Sequence, residues 1–397
     1  MRFKNFLNKK KDLVKYLTFG FFTVLLLLLS ALYFFETSRL SSRVSILNAS
    51  ESDLKTKLGR VEKEYQKLKN EDQYVINQKN KKEIENIQST YKKAVLSYEK
   101  LLDLKSLSKN TTKQDELFAK SLDLLSEKNY ATAEAILSDL NKQIDEEKKK
   151  IASSFVIPQN VQSSNSPPSS GYQRQMVDTD IGSFMVDIVT ADLSSTRVVV
   201  DTASDSTCGN NCPVLPLGDY VSRSGAYAGV NGSYFCPAEY PSCAGRTNSF
   251  DTLLMNKNKV YFNSDNNVYS TVPAAIFYGT TARFVSKSLE WGRDTGVDGV
   301  IANQPLLVFG KQVMFSGDGD PKKGSRSNRS FIGGTGSKAY MGVVHNVTVA
   351  ESAKVLQTLG IENAINLDSG GSTAFWFQGY KAGPGRAIPN AVLFVRK

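Results

Sequence analysis

Four short segments in the second half of the chain combine residue types that handle anions and sugars. The first, Gly229-Val230-Asn231-Gly232-Ser233-Tyr234-Phe235, carries an apolar run into an Asn-Gly pair. In the second, Asn328-Arg329-Ser330-Phe331-Ile332-Gly333-Gly334, an arginine precedes small and apolar residues. The third, Ile365-Asn366-Leu367-Asp368-Ser369-Gly370-Gly371-Ser372-Thr373, ends in a carboxylate, glycines and hydroxyls. The fourth, Gly385-Arg386-Ala387-Ile388-Pro389-Asn390-Ala391, leads into a last apolar run from Val392 to Val395. A guanidinium can hold two phosphate oxygens at once, which an ammonium cannot, so Arg329 and Arg386 are candidate phosphate clamps. Asp368 is a candidate base, nucleophile or stabiliser of an oxocarbenium-like centre. Backbone N–H groups at Ser369, Gly370 and Gly371 suit an anion nest, with the Ser372 hydroxyl beside them. Asn231 and Asn390 would then orient hydroxyls or the phosphate.

Each residue also has an ordinary structural reading. Asn231-Gly232 is a common hairpin-turn pair. Asp368 can cap the turn that follows it, and Asn390, just after Pro389, can be a turn residue. Either arginine can pair with a surface carboxylate. His345, the only histidine, follows the apolar run Met341 to Val344 and reads as structural, which leaves a Ser-His-Asp triad hard to build. Asp318-Gly319-Asp320 looks like a fragment of a calcium loop, but it lacks the other ligands. No cofactor is identified, and no clear motif supports a divalent cation.

The elements that must position these segments are mostly strands. Short β-rich runs at Phe184–Val189, Arg197–Val200, Val260–Phe262, Ala274–Tyr278, Pro305–Val308 and Ala339–Val344 alternate with glycine turns. Helical periodicity is clear only from Val349 to Leu359, so the C-terminal part is predicted to be α+β, a mixed α/β domain with much strand. Taken in order, the four segments resemble the NGGFF-like, RTAIG-like, LDGGGS and R-x-V-x-N-A elements of the phosphodiester glycosidase family. Asn303 to Lys311 and Thr358 to Asp368 fit as well, so the resemblance covers most of Gly229 to Val395. Ser233 and Tyr234 stand where the family usually has Gly and Phe, Ser330 replaces a Thr, and Ser369 replaces the first glycine of the GGG.

The resemblance implies cleavage of a sugar-1-phosphodiester on its glycosidic side, releasing sugar and a phosphomonoester. Asp368 and Arg329 would then be catalytic, and Asn231, Gly232, Ser369, Gly370, Gly371, Ser372, Arg386 and Asn390 would bind substrate. Ordinary glycosidases pair two carboxylates. Glu239, Asp251 and Asp298 are candidates for a second acid, although a phosphate leaves well without one.

The rest of the chain reads as an anchor and a stalk. Residues 1–15 are a basic tail with Arg2, Lys4, Lys9, Lys10, Lys11 and Lys15, and residues 16–35 carry no charge. About 20 residues at ~1.5 Å each cross a hydrocarbon core of ~30 Å. The positive-inside rule keeps the tail cytoplasmic and exports everything after Glu36, with Tyr16, Tyr33, Phe34 and Phe35 near the interfaces. The alternative is a cleaved signal peptide, but the apolar run is long and no small-x-small site follows it.

Residues 36–157 read as a helical coiled-coil stalk. Its seam comprises Leu40, Val44, Leu47, Leu54, Leu58, Val61, Tyr65, Leu68 and Val75, interrupted by Glu51 and Asp72. A second series, Ile84, Ile87, Tyr91, Ala94, Tyr98 and Leu101, is out of phase, with the shift placed in Asn77 to Lys82. The stalk predicts a weak homodimer or a helix folding back on its neighbour. Glu127 to Tyr130 reads as a turn between two further helices, a hairpin that cannot bury its own face and so offers stalk or partner surface. Residues 158–171 are a Ser/Pro linker by composition, and residues 172–397 form the phosphodiester glycosidase-like domain.

All four cysteines, Cys208, Cys212, Cys236 and Cys243, lie beyond the linker, which favours two disulfides in an oxidising compartment. Cys208–Cys212 and Cys236–Cys243 would close short loops, but four cysteines allow three connectivities and a zinc site is the rival. The net charge of +10 comes largely from the Lys-rich first part of the chain and suits an anionic membrane or wall polymer. No nucleic-acid motif accompanies it. The leading expectation is a membrane-anchored extracytoplasmic hydrolase or transglycosylase acting on phosphodiester-linked sugars of an envelope glycopolymer. The alternatives are a non-catalytic module that binds anionic glycan and an envelope scaffold that works through its stalk.

Overall fold

The computed structural model describes residues 2–265 and 271–397, leaving out the side chains of residues 2–14, Tyr16 and Asp72. The side chains of the basic flank Arg2, Lys4, Lys9, Lys10 and Lys11 and of Tyr16 at one end of the aromatic belt therefore lie outside what is described. The chain falls into two compact units, Met1–Asn86 and Ile87–Lys397.

In the first unit, helix α1 runs from Arg2 to Lys69 without a break. Leu17 onward is the one helix among the described residues long and apolar enough to cross a membrane, a test that a signal sequence also passes. The predicted seam residues Leu40, Val44, Leu47, Leu54, Leu58 and Val61 all stand exposed along α1, so a coiled coil is not shown. The chain interrupts its helix at Asn70 and Glu71, and α2 (Asp72–Lys105) runs straight through Asn77–Lys82, where the sequence placed the register shift.

In the second unit, the last turns of α2 pack with α3 (Thr112–Ser126) and α4 (Tyr130–Ser153). Ala94, Leu101 and Leu104 share one small core with Leu125, Ala133, Leu137, Leu140 and Ile144. The α3–α4 hairpin thus buries its face against α2, which supplies the third helix that the hairpin alone lacked. Ala94 and Leu101 point inward as their spacing predicts, but Tyr91 is exposed and Thr90 takes the buried position one residue earlier. Tyr98 stacks on Phe118 with ring centroids 5.1 Å apart.

The Ser/Pro segment after α4 is hydrogen-bonded to the first strand. The Ser164 N–H donates to Met176 at 2.8 Å, and the Met176 N–H donates back to Gln162 at 2.9 Å. Buried Gln175 adds bonds from Nε2 to the carbonyls of Ser164 and Ser166.

Three antiparallel sheets make up the rest. Seven strands lie in the order Gly171–Thr179, Gly182–Asp192, Lys338–Val347, Ser327–Thr335, Asn363–Ser369, Leu306–Phe309 and Gln312–Val313. Five more run Tyr380–Ala382, Phe375–Phe377, Ala226–Asn231, Asn390–Arg396 and Thr196–Thr202. A third sheet runs Tyr261–Phe262, Leu254–Met255, Gly299–Ala302, Ala274–Tyr278 and Thr281–Val285. Side chains alternate across a strand, and the central strands of the large sheet are buried on both faces. Ile332, Met341 and Ile365 join Val230, Val392, Phe375 and Ile301 in one core. Phe331, Val344 and Ala364, on the opposite face, pack against Val349, Ala353 and Leu356 of the helix Val349–Thr358. That helix starts where the sequence indicates, because Thr348 and Glu351 form a reciprocal capping box. The predicted α+β character therefore holds, with a β-rich C-terminal domain after a long apolar helix.

Candidate active site

A set of buried asparagines ties the sheets together beneath the candidate site. Asn231, fully buried, donates from Nδ2 to the Asp368 carbonyl at 2.7 Å. Its Oδ1 accepts from the Ser330 hydroxyl at 2.7 Å and the Ala374 N–H at 3.0 Å. Asn390 accepts from the Ser233 N–H at 2.9 Å and donates to the Ser233 hydroxyl at 3.0 Å. Asn303 accepts from the Tyr234 N–H and donates to the Asn366 carbonyl. Gly232 sits where these strands meet: its N–H donates to the Asn390 carbonyl at 3.0 Å and its carbonyl accepts from the Asp368 N–H at 2.9 Å. Its backbone is not left-handed, so the Asn-Gly pair is no hairpin turn, and a Cβ at Gly232 would collide with Asn390. Asn231, Gly232 and Asn390 thus spend their polar groups on the frame that holds Asp368.

Asp368 lies at the end of its strand, partly accessible. Its Oδ1 accepts from the Ser369 N–H at 2.9 Å. Burial pushes the carboxyl up to about 6, against the Ser372 hydroxyl, the Ser369 N–H and the charges of Arg386 and Lys322, which pull it down. Ser369 is extended, with φ −144° and ψ −177°, and its N–H is taken by Asp368, so it does not point outward as part of an anion nest. Arg386 lies across the glycine turn: its N–H donates to the Gly371 carbonyl at 2.9 Å, and any side chain at Gly371 would displace its guanidinium.

Arg329 is buried and holds backbone rather than facing a solvated cleft. Nη2 donates to the carbonyls of Lys322 at 2.8 Å and Ser325 at 2.5 Å, and Nε donates to Val347 at 3.2 Å. Nη1 makes no protein hydrogen bond among the described residues. Burial lowers the Arg329 pKa, opposed by the negative charges of Asp368 and Asp320. Its direct structural effect is to fix the turn Pro321–Gly324, and this turn carries Lys322 to the site.

Three residues of the site were not singled out for it from the sequence. The Tyr234 hydroxyl accepts from Asn366 Nδ2 at 2.6 Å, which leaves its own proton free to donate. Burial first, then the nearby Asp368 charge, pushes that phenol well above its ordinary value, so it stays protonated. The Tyr240 ring has Lys322 Nζ at 5.0 Å and Arg386 Cζ at 5.3 Å from its centre. Tyr240 and Lys322 lie in no repeated pattern, so only the fold could bring them to Arg386.

Other expected residues fall elsewhere. His345 bonds through Nε2 to Asp187 Oδ2 at 2.8 Å and serves a buried structural cluster. Asp320 caps its own turn by accepting from the Lys322 N–H at 2.8 Å, and Asp318 pairs with Lys323. Glu239 and Asp251 are exposed, and Asp298 accepts from the Gly279 N–H. The cysteines pair as Cys208–Cys212 and Cys236–Cys243, which takes their thiolates out of any zinc site. Among the described residues no three His, Cys, Asp or Glu side chains converge. A basic hollow lined by Arg197, Arg223, Lys257 and Lys259 takes in Asp298 but neither Asp368 nor Arg386, and Asp201 already pairs with Arg223 and Lys257 there.

Residues 224–395 match the model of the phosphodiester glycosidase family, which takes in all four segments and bears out the resemblance. Among solved structures the chain is similar to the zebrafish N-acetylglucosamine-1-phosphodiester alpha-N-acetylglucosaminidase catalytic domain, auto-inhibited by its pro-peptide. The two share 17% identity with a TM-score of 0.46, covering 60% of this chain and 86% of that one. It is also similar to a hypothetical protein from Synechocystis, at 13% identity and a TM-score of 0.40, and spans 62% of that protein's length. No curated protein matches the chain.

Proposed function

We propose that residues 172–397 form a phosphodiester glycosidase that works outside the cytoplasm and is held to the membrane by the apolar part of α1. The observation that carries this reading is Asp368, raised to about 6 beside Arg386 on the Gly370–Ser372 turn, within the stretch that matches the family. Perturbed carboxylates of this kind cluster at functional sites.

In the proposed reaction the C1–O bond of a sugar-1-phosphodiester breaks, and its electron pair leaves with the phosphate oxygen. Ionised Asp368 faces the positive charge that develops at C1. Water adds to C1 and loses a proton, so the products are the free sugar and a phosphomonoester; an alcohol in place of water would make the reaction a transfer. Arg386 and Lys322 offset the leaving charge, and the Tyr234 proton is positioned to bond the same oxygens. A phosphate is a weak base, so departure needs no strong acid. The paired cysteines favour an oxidising compartment, and a polyanionic envelope glycopolymer is the substrate class that suits the basic chain. The test is release of sugar and phosphomonoester from sugar-1-phosphodiesters by wild type and by Asp368→Asn. Turnover that survives in the variant rules out this mechanism; binding of polymer without any turnover by wild type selects the recognition module instead.

A further inference from the structure

The family match begins at Ser224, yet residues far upstream of it reach the rim of the Asp368 site. The Tyr240 hydroxyl donates to Asp103 Oδ1 on α2. The Ser242 N–H donates to the buried carboxylate of Glu99, also on α2, at 3.0 Å. From α4, Lys148 Nζ approaches Asp103 Oδ2 only to 3.9 Å. The Tyr240 ring that these helices hold is the same ring that carries Lys322 and Arg386. Cationic groups thus extend from Arg386, next to Asp368, through Lys322 to Lys148.

Lys148 is poorly compensated for an ammonium only 20% exposed. Among the described residues its one ion pair, to Asp103 at 3.9 Å, is beyond hydrogen-bond length, and Asp103 already accepts from Tyr240. Burial lowers its pKa, Asp103 and Asp145 counter that, and the charges of Lys100 and Lys322 repel it. Lys322 is itself exposed, so a ligand can reach the pair; like charges held close repel, and an anion between them relieves that repulsion.

We propose that Lys148 and Lys322 form a second phosphate subsite, supplied jointly by the helical segment and the β-rich domain. The substrate is then a chain of repeated phosphodiesters, one engaged at Arg386 beside Asp368 and its neighbour between the two lysines. This rests on the glycosidase reading of the Asp368 site and deepens it.

The test uses the full-length chain in detergent and two probes without a glycosidic bond, glycerol 1-phosphate and a synthetic trimer of glycerol phosphate. Wild type should bind the trimer at least tenfold more tightly than the monomer. Lys148→Met, which keeps the apolar stem, should erase that preference without a change in melting temperature, and Lys148→Arg should keep it. A Lys148→Met variant with wild-type trimer preference, or with equal losses for both probes, overturns the subsite. Because these probes need no chemistry, the two readings fail separately. Lys148-dependent trimer binding without sugar release from any substrate removes the glycosidase and leaves the subsite. Sugar release combined with trimer binding indifferent to Lys148 does the reverse.

Discussion

Two regions of the seven-stranded sheet each centre on an aspartate, and they treat it in opposite ways. Asp187 is fully buried among Arg174, which bonds both its oxygens at 2.8 Å, Tyr172 at 2.6 Å and His345 at 2.8 Å. Burial would raise its pKa, but His345 and Arg174 hold it down at about 2. At Asp368 burial prevails over the Ser372 hydroxyl, the Ser369 N–H and the charges of Arg386 and Lys322, and the carboxyl rises to about 6. A carboxylate with strong partners on every side is stable and chemically idle; one left short of partners is available for a ligand. The difference lies in the neighbours that the fold delivers, since both residues sit on strands of one sheet.

The comparison is broken most directly at Asp368. Asp368→Asn should lower turnover by about 10³-fold or more, roughly 4 kcal/mol of barrier, while the circular dichroism and melting temperature stay near wild type. Asp187→Ala should do the opposite. It strands Arg174 and His345 and should destabilise the domain by about 3 kcal/mol, near the low end for buried pairs because Arg174 is 38% exposed, while the folded fraction keeps its turnover. A urea titration with activity normalised to folded protein reads both effects.

The pH responses sharpen the same contrast. Asp187 has its pKa depressed from 3.8 to about 2, so its stabilisation is complete above pH 3.8 and is lost as pH falls through 2. That contribution is about 2 kcal/mol and should vanish from the acid unfolding curve of Asp187→Asn. Asp368 is active as the anion, so kcat/KM should rise with pH through about 6. Removing the Arg386 charge by Arg386→Ala should move that midpoint upward, and an unmoved midpoint would show that Arg386 does not act on Asp368. The smallest effect is expected from Tyr234→Phe, about three- to tenfold in kcat with little change in stability, because it deletes one hydrogen-bond donor from a ring that still packs.

Much of the site was legible because its residues come in contiguous segments. The stretch from Asp368 to Ser372 reads directly as carboxylate, glycine turn and hydroxyl, and Arg386 is close in sequence to Asn390, so one glance captures both. What each residue does was less legible. Asn231 and Asn390 look like ligand contacts, yet their amides are consumed by Ser330, Ala374, Ser233 and the Asp368 carbonyl. Arg329 looks like a phosphate clamp, yet four carbonyls occupy two of its nitrogens. A sequence names hydrogen-bonding groups but not their partners, and a buried polar group must find partners somewhere. The helical part shows the same limit. Spacing identified Ala94 and Leu101 as an inward face, but only packing against α4 could replace Tyr91 by Thr90.

Sequence alone determined the apolar helix, the β-rich character of the domain and the motifs that resemble the phosphodiester glycosidase family, because each depends on composition or on residues close in the chain; which cysteines pair came from the structure. Tertiary structure alone decided that Asp368 and not Asp187 has its pKa raised, that Lys322 and Tyr240 come to Arg386, and that Asp103 and Lys148 of the helical segment reach the rim of the site. Desolvation and charge–charge interaction depend on distances in space and not on separation along the chain.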